Sequence, residues 1–235
     1  MSRILFLLAF TLITKAGFSQ DCKGYYYLTN GQVVMTIYDK KGKENGAVTY
    51  TVSDVNKSGA TTTASFTSVM NDEKGKLMSS GKGTYKCTGG SMLVDAKVAL
   101  PGDQMGPYKD MDVKADQVFI EYPATLSAGQ SLKDVNYSME VFNKTGALHA
   151  TITMDQVNRK VEGKESVTTP AGTWECMKIT YDGKMKASLA PLNIGIPMNF
   201  QVTEWFAPGF GVVKTESKNK NGKLIGSTVI TSVKK

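Results

Sequence analysis

The sequence has 235 residues, of which 41% are hydrophobic and 21% are charged, and its formal net charge is +7. This length is enough to bury a sizeable core, and the composition excludes disorder throughout the chain and a collagen-like repeat. Three cysteines are too few for a disulfide-dense scaffold. Composition alone indicates neither a reaction nor a ligand.

The N-terminus has the pattern of a secretory signal peptide. Met1–Arg3 carries the positive charge, Ile4–Thr14 is uncharged and mostly apolar, and Gly17–Ser19 supplies small residues for cleavage. Because a membrane span needs about 20 apolar residues, we expect this segment to be removed. We therefore predict a signal peptide over 1–19 and an exported mature domain over 20–235, located in the periplasm, the cell envelope or outside the cell. No later stretch is apolar enough to predict a transmembrane segment.

The positive charge does not indicate nucleic-acid binding. After the signal peptide, Arg159 is the only arginine, and the remaining cations are lysines scattered through the sequence. Recognition of phosphates and bases favours clustered arginines interleaved with aromatic residues. Scattered lysines are typical of a β surface protected against edge-to-edge pairing. We expect no nucleic-acid partner.

Apolar residues alternate with polar ones in three segments. These are Val48–Ser53, Met92–Leu100 and Leu148–Asp155. A period of two predicts strands with one buried and one wet face, as in antiparallel sheets. We predict an all-β fold, a single domain of antiparallel meander hairpins in a strongly curved sheet, half-barrel or open barrel, with at most short helices. Two subdomains that divide near 101–113 are the alternative.

Four short segments share one turn pattern, in which Asp or Asn is followed by two polar residues and Gly. The Asx side chain opens a type I turn and Gly closes a bulged hairpin. Alternating acids of a calcium loop are lacking, so no metal site is predicted. The four segments are Asp39–Lys43, Asp72–Lys76, Asn143–Ala147 and Asn219–Lys223.

Two further segments are predicted to be loops, Pro101–Pro107 and Ala187–Thr203. The second carries no charged residue and is rich in large apolar side chains. Such a segment must pack on something. It either closes one end of the β core or forms a lid over a cavity for a lipid-like ligand. The candidate lining residues for that ligand are Leu189, Leu192, Ile194, Ile196, Met198, Phe200 and Trp205.

Four stretches together resemble a known family. They are Asp21–Tyr27, Tyr38–Lys43, Thr169–Ile179 and Glu204–Lys214, of which the last, with its W-F-A-P-G-x-G-x-V-K pattern, is the most specific. The chain resembles the TapB-like family of exported, uncharacterised Bacteroidetes proteins, related to a larger envelope family of unknown function. The resemblance implies an antiparallel β fold and an envelope setting. It implies no activity, cofactor or catalytic residue.

Enzyme chemistry has little support in the residues. The lone histidine, His149, stands on the polar face of a predicted strand, where a side chain without a fixed partner is usually solvent-facing. We predict no catalytic residue, no cofactor and no metal. The predicted function is a non-enzymatic envelope protein that acts by protein–protein contact. The alternative is a carrier or sensor that binds an apolar, lipid-like ligand in a half-barrel under residues 187–203.

The three cysteines allow one disulfide and one free thiol in an oxidising compartment. Cys22 opens the mature chain and Cys87 ends a predicted strand, whereas Cys176 lies in an apolar strand like a buried thiol. We therefore predict a Cys22–Cys87 disulfide that fixes the N-terminus. Lipid attachment at Cys22 is not expected, because Ser19–Asp21 lacks the small uncharged residues of a lipoprotein cleavage site.

Overall fold

The computed structural model describes residues 22–96, 112–142, 145–190 and 194–235. These residues form strands and one 3₁₀ turn at Tyr26–Leu28. None of the helical segments in this part of the chain is long and apolar enough to cross a membrane. The strands are β1 (Gly31–Asp39), β2 (Glu44–Ser58), β3 (Thr61–Asp72), β4 (Leu77–Thr88), β5 (Ser91–Asp95), β6 (Asp112–Ala115), β7 (Phe119–Tyr122), β8 (Val135–Phe142), β9 (Leu148–Thr169), β10 (Gly172–Leu189), β11 (Ile194–Ala207), β12 (Gly211–Asn219) and β13 (Leu224–Lys234).

All thirteen strands belong to one sheet, in the order β6-β8-β9-β10-β11-β12-β13-β1-β2-β3-β4-β5-β7. Every pairing is antiparallel. The two outermost strands, β6 and β7, follow each other in the chain with only residues 116–118 between them. The sheet must therefore curl until its edges approach, and the result is an open half-barrel. The predicted all-β, strongly curved fold is confirmed.

The alternation of side chains explains why the sheet encloses a core. In β8, Val135, Tyr137, Met139 and Val141 are buried, and the residues between them are exposed. Because successive side chains of a strand point to opposite faces, the apolar side chains of each strand lie together on the concave face of the sheet. One continuous apolar cluster fills the interior and draws residues from strands throughout the sheet.

The predicted Asx–Gly hairpins are confirmed at three of the four positions. The Oδ1 atom of Asp39 accepts hydrogen bonds from the backbone N–H groups of Lys41 (2.8 Å) and Lys43 (2.9 Å). The same arrangement recurs at Asp72 and Asn219. In each turn the glycine has a φ between 74° and 79°, the left-handed conformation that glycine adopts without strain. The fourth turn begins at residue 143, outside the described residues.

The prediction that Ala187–Thr203 is a loop was wrong. Ala187 to Leu189 end β10, and Ile194 to Thr203 belong to β11, in register with β10 from Leu189↔Ile194 to Thr180↔Thr203. Pro197 was one reason to predict a loop, because proline is rare within sheets. It is tolerated here because β12 pairs with β11 only from Phe200 onwards, so that stretch of β11 has a free side.

Several predictions concern residues outside the described part of the chain. These include the signal peptide 1–19 and the loop Pro101–Pro107. The alternative division near 101–113 also falls largely there. The organisation of 20–235 as one domain therefore stays a prediction.

Candidate functional site

A cavity of about 260 Å³ lies inside the half-barrel. Strands from both halves of the chain contribute to its wall, which is mainly aliphatic and aromatic. Glu204 of β11 is a charged residue of this wall that is almost fully buried. The tyrosines of the wall are Tyr26, Tyr27, Tyr38, Tyr50, Tyr122 and Tyr181.

One end of the cavity is closed by the segment Cys22–Leu28, which we call the N-terminal plug. Its side chains Tyr25, Tyr26, Tyr27 and Leu28 are all buried. The predicted disulfide is present and joins Cys22 to Cys87 of β4 across a Cα–Cα distance of 5.9 Å. The plug is thus fixed covalently to β4, which it also contacts through the rings of Tyr27 and Tyr85.

The plug packs against the turn between β11 and β12. The backbone N–H of Tyr26 donates to the carbonyl oxygen of Phe210 (3.0 Å), and the Tyr26 hydroxyl donates to the carbonyl oxygen of Val212 (3.3 Å). The backbone N–H of Val212 in turn donates to the Tyr27 hydroxyl (3.2 Å). Trp174 packs on Phe210 with ring centroids 4.8 Å apart. Three stretches that carry the family resemblance therefore meet at this closed end.

Glu204 is the central polar group of the cavity. Its side chain is 5% exposed. The Tyr122 hydroxyl donates to Oε2 (3.1 Å) and the Tyr181 hydroxyl donates to Oε1 (3.2 Å). Burial raises the pKa of Glu204, while the nearby Arg159 guanidinium and the two hydroxyls oppose that increase. Burial also raises the pKa of both tyrosines well above 10, so they remain neutral donors.

Arg159 reaches the interior because of a β-bulge. Asn158 has a φ of 58°, and the pairing of β9 with β10 shifts at this point. The bulge changes which residues face inward. The buried Arg159 guanidinium donates to the carbonyl oxygens of Lys133 (2.8 Å) and Glu121 (3.4 Å). It also lies 5.6 Å from the centroid of the Tyr122 ring. Arg159 therefore links β9 to β7, which stand near opposite ends of the sheet order.

The other end of the cavity is open to solvent. Here the wall consists of residues beside the β1–β2 and β12–β13 hairpins, among them Asp39, Asn45, Ser217 and Ile225, all exposed or half-buried. Two turn N–H groups, those of Lys43 and Lys41, lower the pKa of Asp39. Asp39 therefore remains ionised at the mouth of the cavity.

The structure separates the residues predicted to line an apolar site. Phe200 lines the cavity. Leu189, Ile194 and Met198 are exposed along the β10–β11 hairpin. Trp205 is buried on the other face of β11, with the ammonium groups of Lys178 and Lys214 at 5.6 Å and 4.5 Å from its ring. Leu192 and the side chain of Ile196 are outside the described part.

Sequence reasoning missed Glu204 and Arg159 as interior groups. The signal for Glu204 was present, because it stands between Val202 and Phe206 at a spacing of two and so shares their face. No comparable signal exists for Arg159, because its position depends on a bulge. Cys176 is a buried free thiol, as expected, and desolvation by burial raises its pKa to about 11. Within the described ranges, no group of three or more His, Cys, Asp or Glu is placed to hold a metal ion.

Comparison with known proteins identifies a family and two solved structures of similar fold. The DUF3108-like family model matches residues 29–230. A candidate lipoprotein from Parabacteroides distasonis superimposes with a TM-score of 0.76 at 25% identity, over 91% of this chain and 100% of the other. A candidate exported protein with a YmcC-like fold from Bacteroides fragilis gives a TM-score of 0.72 at 21% identity, with the same coverage. No functionally curated protein matches the chain.

Proposed function

Because this chain belongs to the DUF3108-like family, with structural relatives described as a candidate lipoprotein and a candidate exported protein, we propose that it is an exported envelope protein. We propose further that it binds a small, largely apolar molecule inside the half-barrel and catalyses no reaction. The TapB-like name implied by the sequence remains an expectation, since the matching family model is the DUF3108-like one.

The observation that supports binding is the cavity itself. It occupies about 260 Å³, and aliphatic and aromatic side chains form most of its wall, together with polar side chains such as Asn45 and Ser217 and the buried Glu204. Small-molecule sites in proteins have this character, in which apolar walls supply affinity and a few fixed polar groups set orientation. The site differs from the predicted one, because Phe200 and Val202 are the described residues of 187–203 that line it.

The two tyrosines that contact Glu204 favour a binding role for the cavity. Both carboxyl oxygens accept hydrogen bonds from tyrosine hydroxyls. Those phenols have pKa values well above 10, because burial disfavours their ionised form. General acid–base chemistry at neutral pH needs groups that titrate near neutrality. The tyrosines are instead suited to hold a carboxyl group in a fixed orientation.

A neutral apolar fluorophore tests the proposal. We expect N-phenyl-1-naphthylamine to bind the purified protein with increased fluorescence. Val48→Phe, at a half-buried wall position, should lower its affinity at least tenfold by filling the cavity. Val69→Phe is the matched control, because Val69 is 37% exposed and is not part of the cavity wall. If the unmutated protein binds neither this fluorophore nor a smaller naphthalene probe, the binding proposal is wrong.

A second candidate function, contact with a partner protein, has its own support. Ile194, Leu189 and Met198 are 68%, 49% and 36% exposed along one hairpin. Exposed apolar side chains grouped in this way are typical of interaction surfaces. Protein–protein contact was also the function predicted first from the sequence.

Native mass spectrometry of protein extracted from its own envelope separates the two candidates. An added mass of a few hundred daltons supports ligand binding. An added protein subunit that is lost in Ile194→Asp supports the contact function. Loss of the subunit with retention of the small mass would assign one function to each site.

A further inference from the structure

The charges of the cavity wall are opposite in sign to the charge of the whole chain. The sequence contains 28 Lys and Arg against 21 Asp and Glu. Among the described residues that line the cavity, the charged side chains are Asp39 and Glu204, both acids. Asp39 stands at the mouth and Glu204 lies at depth. A cation that enters the cavity therefore meets a carboxylate at each end of its path.

Glu204 retains capacity to accept further hydrogen bonds. An ionised carboxylate offers about four acceptor positions, and the hydroxyls of Tyr122 and Tyr181 use two of them. No ion pair within 4.0 Å joins Glu204 to a cation of the described residues. The nearby Arg159 donates instead to the carbonyl oxygens of Glu121 and Lys133. The carboxyl group is thus held in place without a direct counter-ion.

Building on the proposed binding function, we infer that the ligand is a small organic cation, an ammonium group on an apolar body, whose charge is paired with the Glu204 carboxylate. A buried carboxylate is costly unless it is paired, and an ammonium ligand supplies that pair together with hydrogen-bond donors. The tyrosine rings of the wall favour the same ligand, since a cation within about 6 Å of an aromatic ring is attracted to it.

The same carboxylates disfavour an anionic ligand, although the buried Arg159 guanidinium lies near Glu204. A fatty acid would bring a second carboxylate toward Glu204 with no cation of the described wall to receive it. Like charges at a buried site raise the free energy of the complex. The sequence suggested a lipid-like ligand, and the charges of the cavity wall restrict this class to ligands with a cationic head group.

Three probes with one naphthalene body test the inference. They are 1-naphthylmethylamine, 1-naphthalenemethanol and 1-naphthoic acid, titrated into the full-length mature protein at pH 7.5 by calorimetry. We expect the amine to bind at least tenfold more tightly than the alcohol, and the acid not to bind. In Glu204→Gln the amine should bind no more tightly than the alcohol. Glu73→Gln is the charge-matched control, because Glu73 is exposed in the β3–β4 turn.

The outcomes separate this inference from the proposed function. Equal affinities for the amine and alcohol, or an amine preference that persists in Glu204→Gln, would overturn the inference and leave the binding function intact. Binding of none of these probes, nor of N-phenyl-1-naphthylamine, would overturn both.

If Glu204→Gln does not fold, the pH dependence of probe affinity can be measured on the unmutated protein instead. The groups that face Glu204 are Tyr122 of β7, Tyr181 of β10, Arg159 of β9 and, at longer range, Tyr27 of the plug. The tyrosines stay neutral between pH 4 and 8, because burial raises their pKa values. We therefore expect amine affinity to fall as the pH drops through the raised pKa of Glu204, while alcohol affinity does not. Parallel profiles for the amine and alcohol would contradict the inference.

Discussion

The closed and open ends of the half-barrel are held by contacts of different sequence range. At the closed end, the plug residue Tyr26 donates to the carbonyl oxygen of Phe210, on the far side of the sequence. At the open end, Asp39 accepts hydrogen bonds from Lys41 and Lys43, within the same turn. The packing of the plug therefore depends on the whole fold. At the open end the Asx–Gly turns are determined by residues within each turn, although their strands also pair over long range, as in Asp39↔Gly226.

The largest difference between the ends should appear on removing a large side chain. Phe206 is 1% exposed and stacks on Tyr122 with ring centroids 4.3 Å apart. We expect Phe206→Ala to lower the free energy of unfolding by about 3–5 kcal/mol. Ile194→Ala, at the exposed hairpin, should change it by about 0.5 kcal/mol or less. Chemical denaturation followed by circular dichroism measures both, and equal losses would contradict the comparison.

Removing the disulfide should have the next largest effect. The double substitution Cys22→Ala and Cys87→Ala releases the plug from β4 and should cost about 2–4 kcal/mol, mainly by freeing the unfolded chain. Cys176→Ala is the control, a buried cysteine outside any disulfide, with an expected loss of about 1 kcal/mol. Protease cleavage near residue 28 in the double variant alone would show that the plug has detached. An intact plug would mean that its aromatic contacts suffice.

Substitution of one glycine at each end tests how strongly the backbone there requires glycine. Gly211, beside the plug, has a φ of 131°, and a methyl group there would lie 2.5 Å from Cε1 of Tyr26 and 2.8 Å from Cε2 of Tyr27. Gly222, in the β12–β13 turn, has a φ of 74° and open space around it. We expect Gly211→Ala to cost about 2–4 kcal/mol, from strain and overpacking, and Gly222→Ala about 1 kcal/mol. Thermal unfolding of both variants provides the measurement; a larger loss at Gly222 would reverse the comparison.

The smallest effect concerns the pH dependence of stability. Burial raises the pKa of Glu204 in the folded protein above its usual 4.5. As the pH rises from about 4.5, the unfolded chain therefore loses this proton first, and the folded protein loses stability until the raised pKa is passed. Glu204→Gln removes that dependence. The denaturation midpoint of the variant relative to the unmutated protein should rise with pH over this interval, and two parallel curves would show that Glu204 is not desolvated.

The sequence predicts the locally determined parts of the molecule well. The alternation of Val48, Tyr50 and Val52 predicts a strand and the face that it buries. Asp39 together with Gly42 predicts the turn that follows β1. The disulfide between Cys22 and Cys87 followed from the predicted compartment, the cysteine count and the apolar strand around Cys176. These features depend on residues within a few positions of each other, or on a covalent constraint with few alternatives.

The candidate site was less predictable, because tertiary contacts create it. Residues 187–203 contain Pro197 and Gly195, which favour a loop by local rules, although pairing with β10 overrides them. Arg159 faces inward only because a bulge at Asn158 changes the phase of β9. Glu204 becomes a buried acid only when β7 and β10 bring Tyr122 and Tyr181 to it. These contacts join residues that are distant in the sequence, so no local sequence pattern predicts them.

The pairing of the first strand with the last constrains the order of folding. β1 pairs with β13 from Gln32↔Lys234 to Asp39↔Gly226, and the plug is covered by the turn at Phe210. During synthesis the plug is made before these partners, so its three consecutive tyrosines lack their final contacts until the turn at Phe210 has been synthesised. Contacts of such long range make folding slow. We therefore expect the protein to need protection from aggregation until β13 has paired with β1.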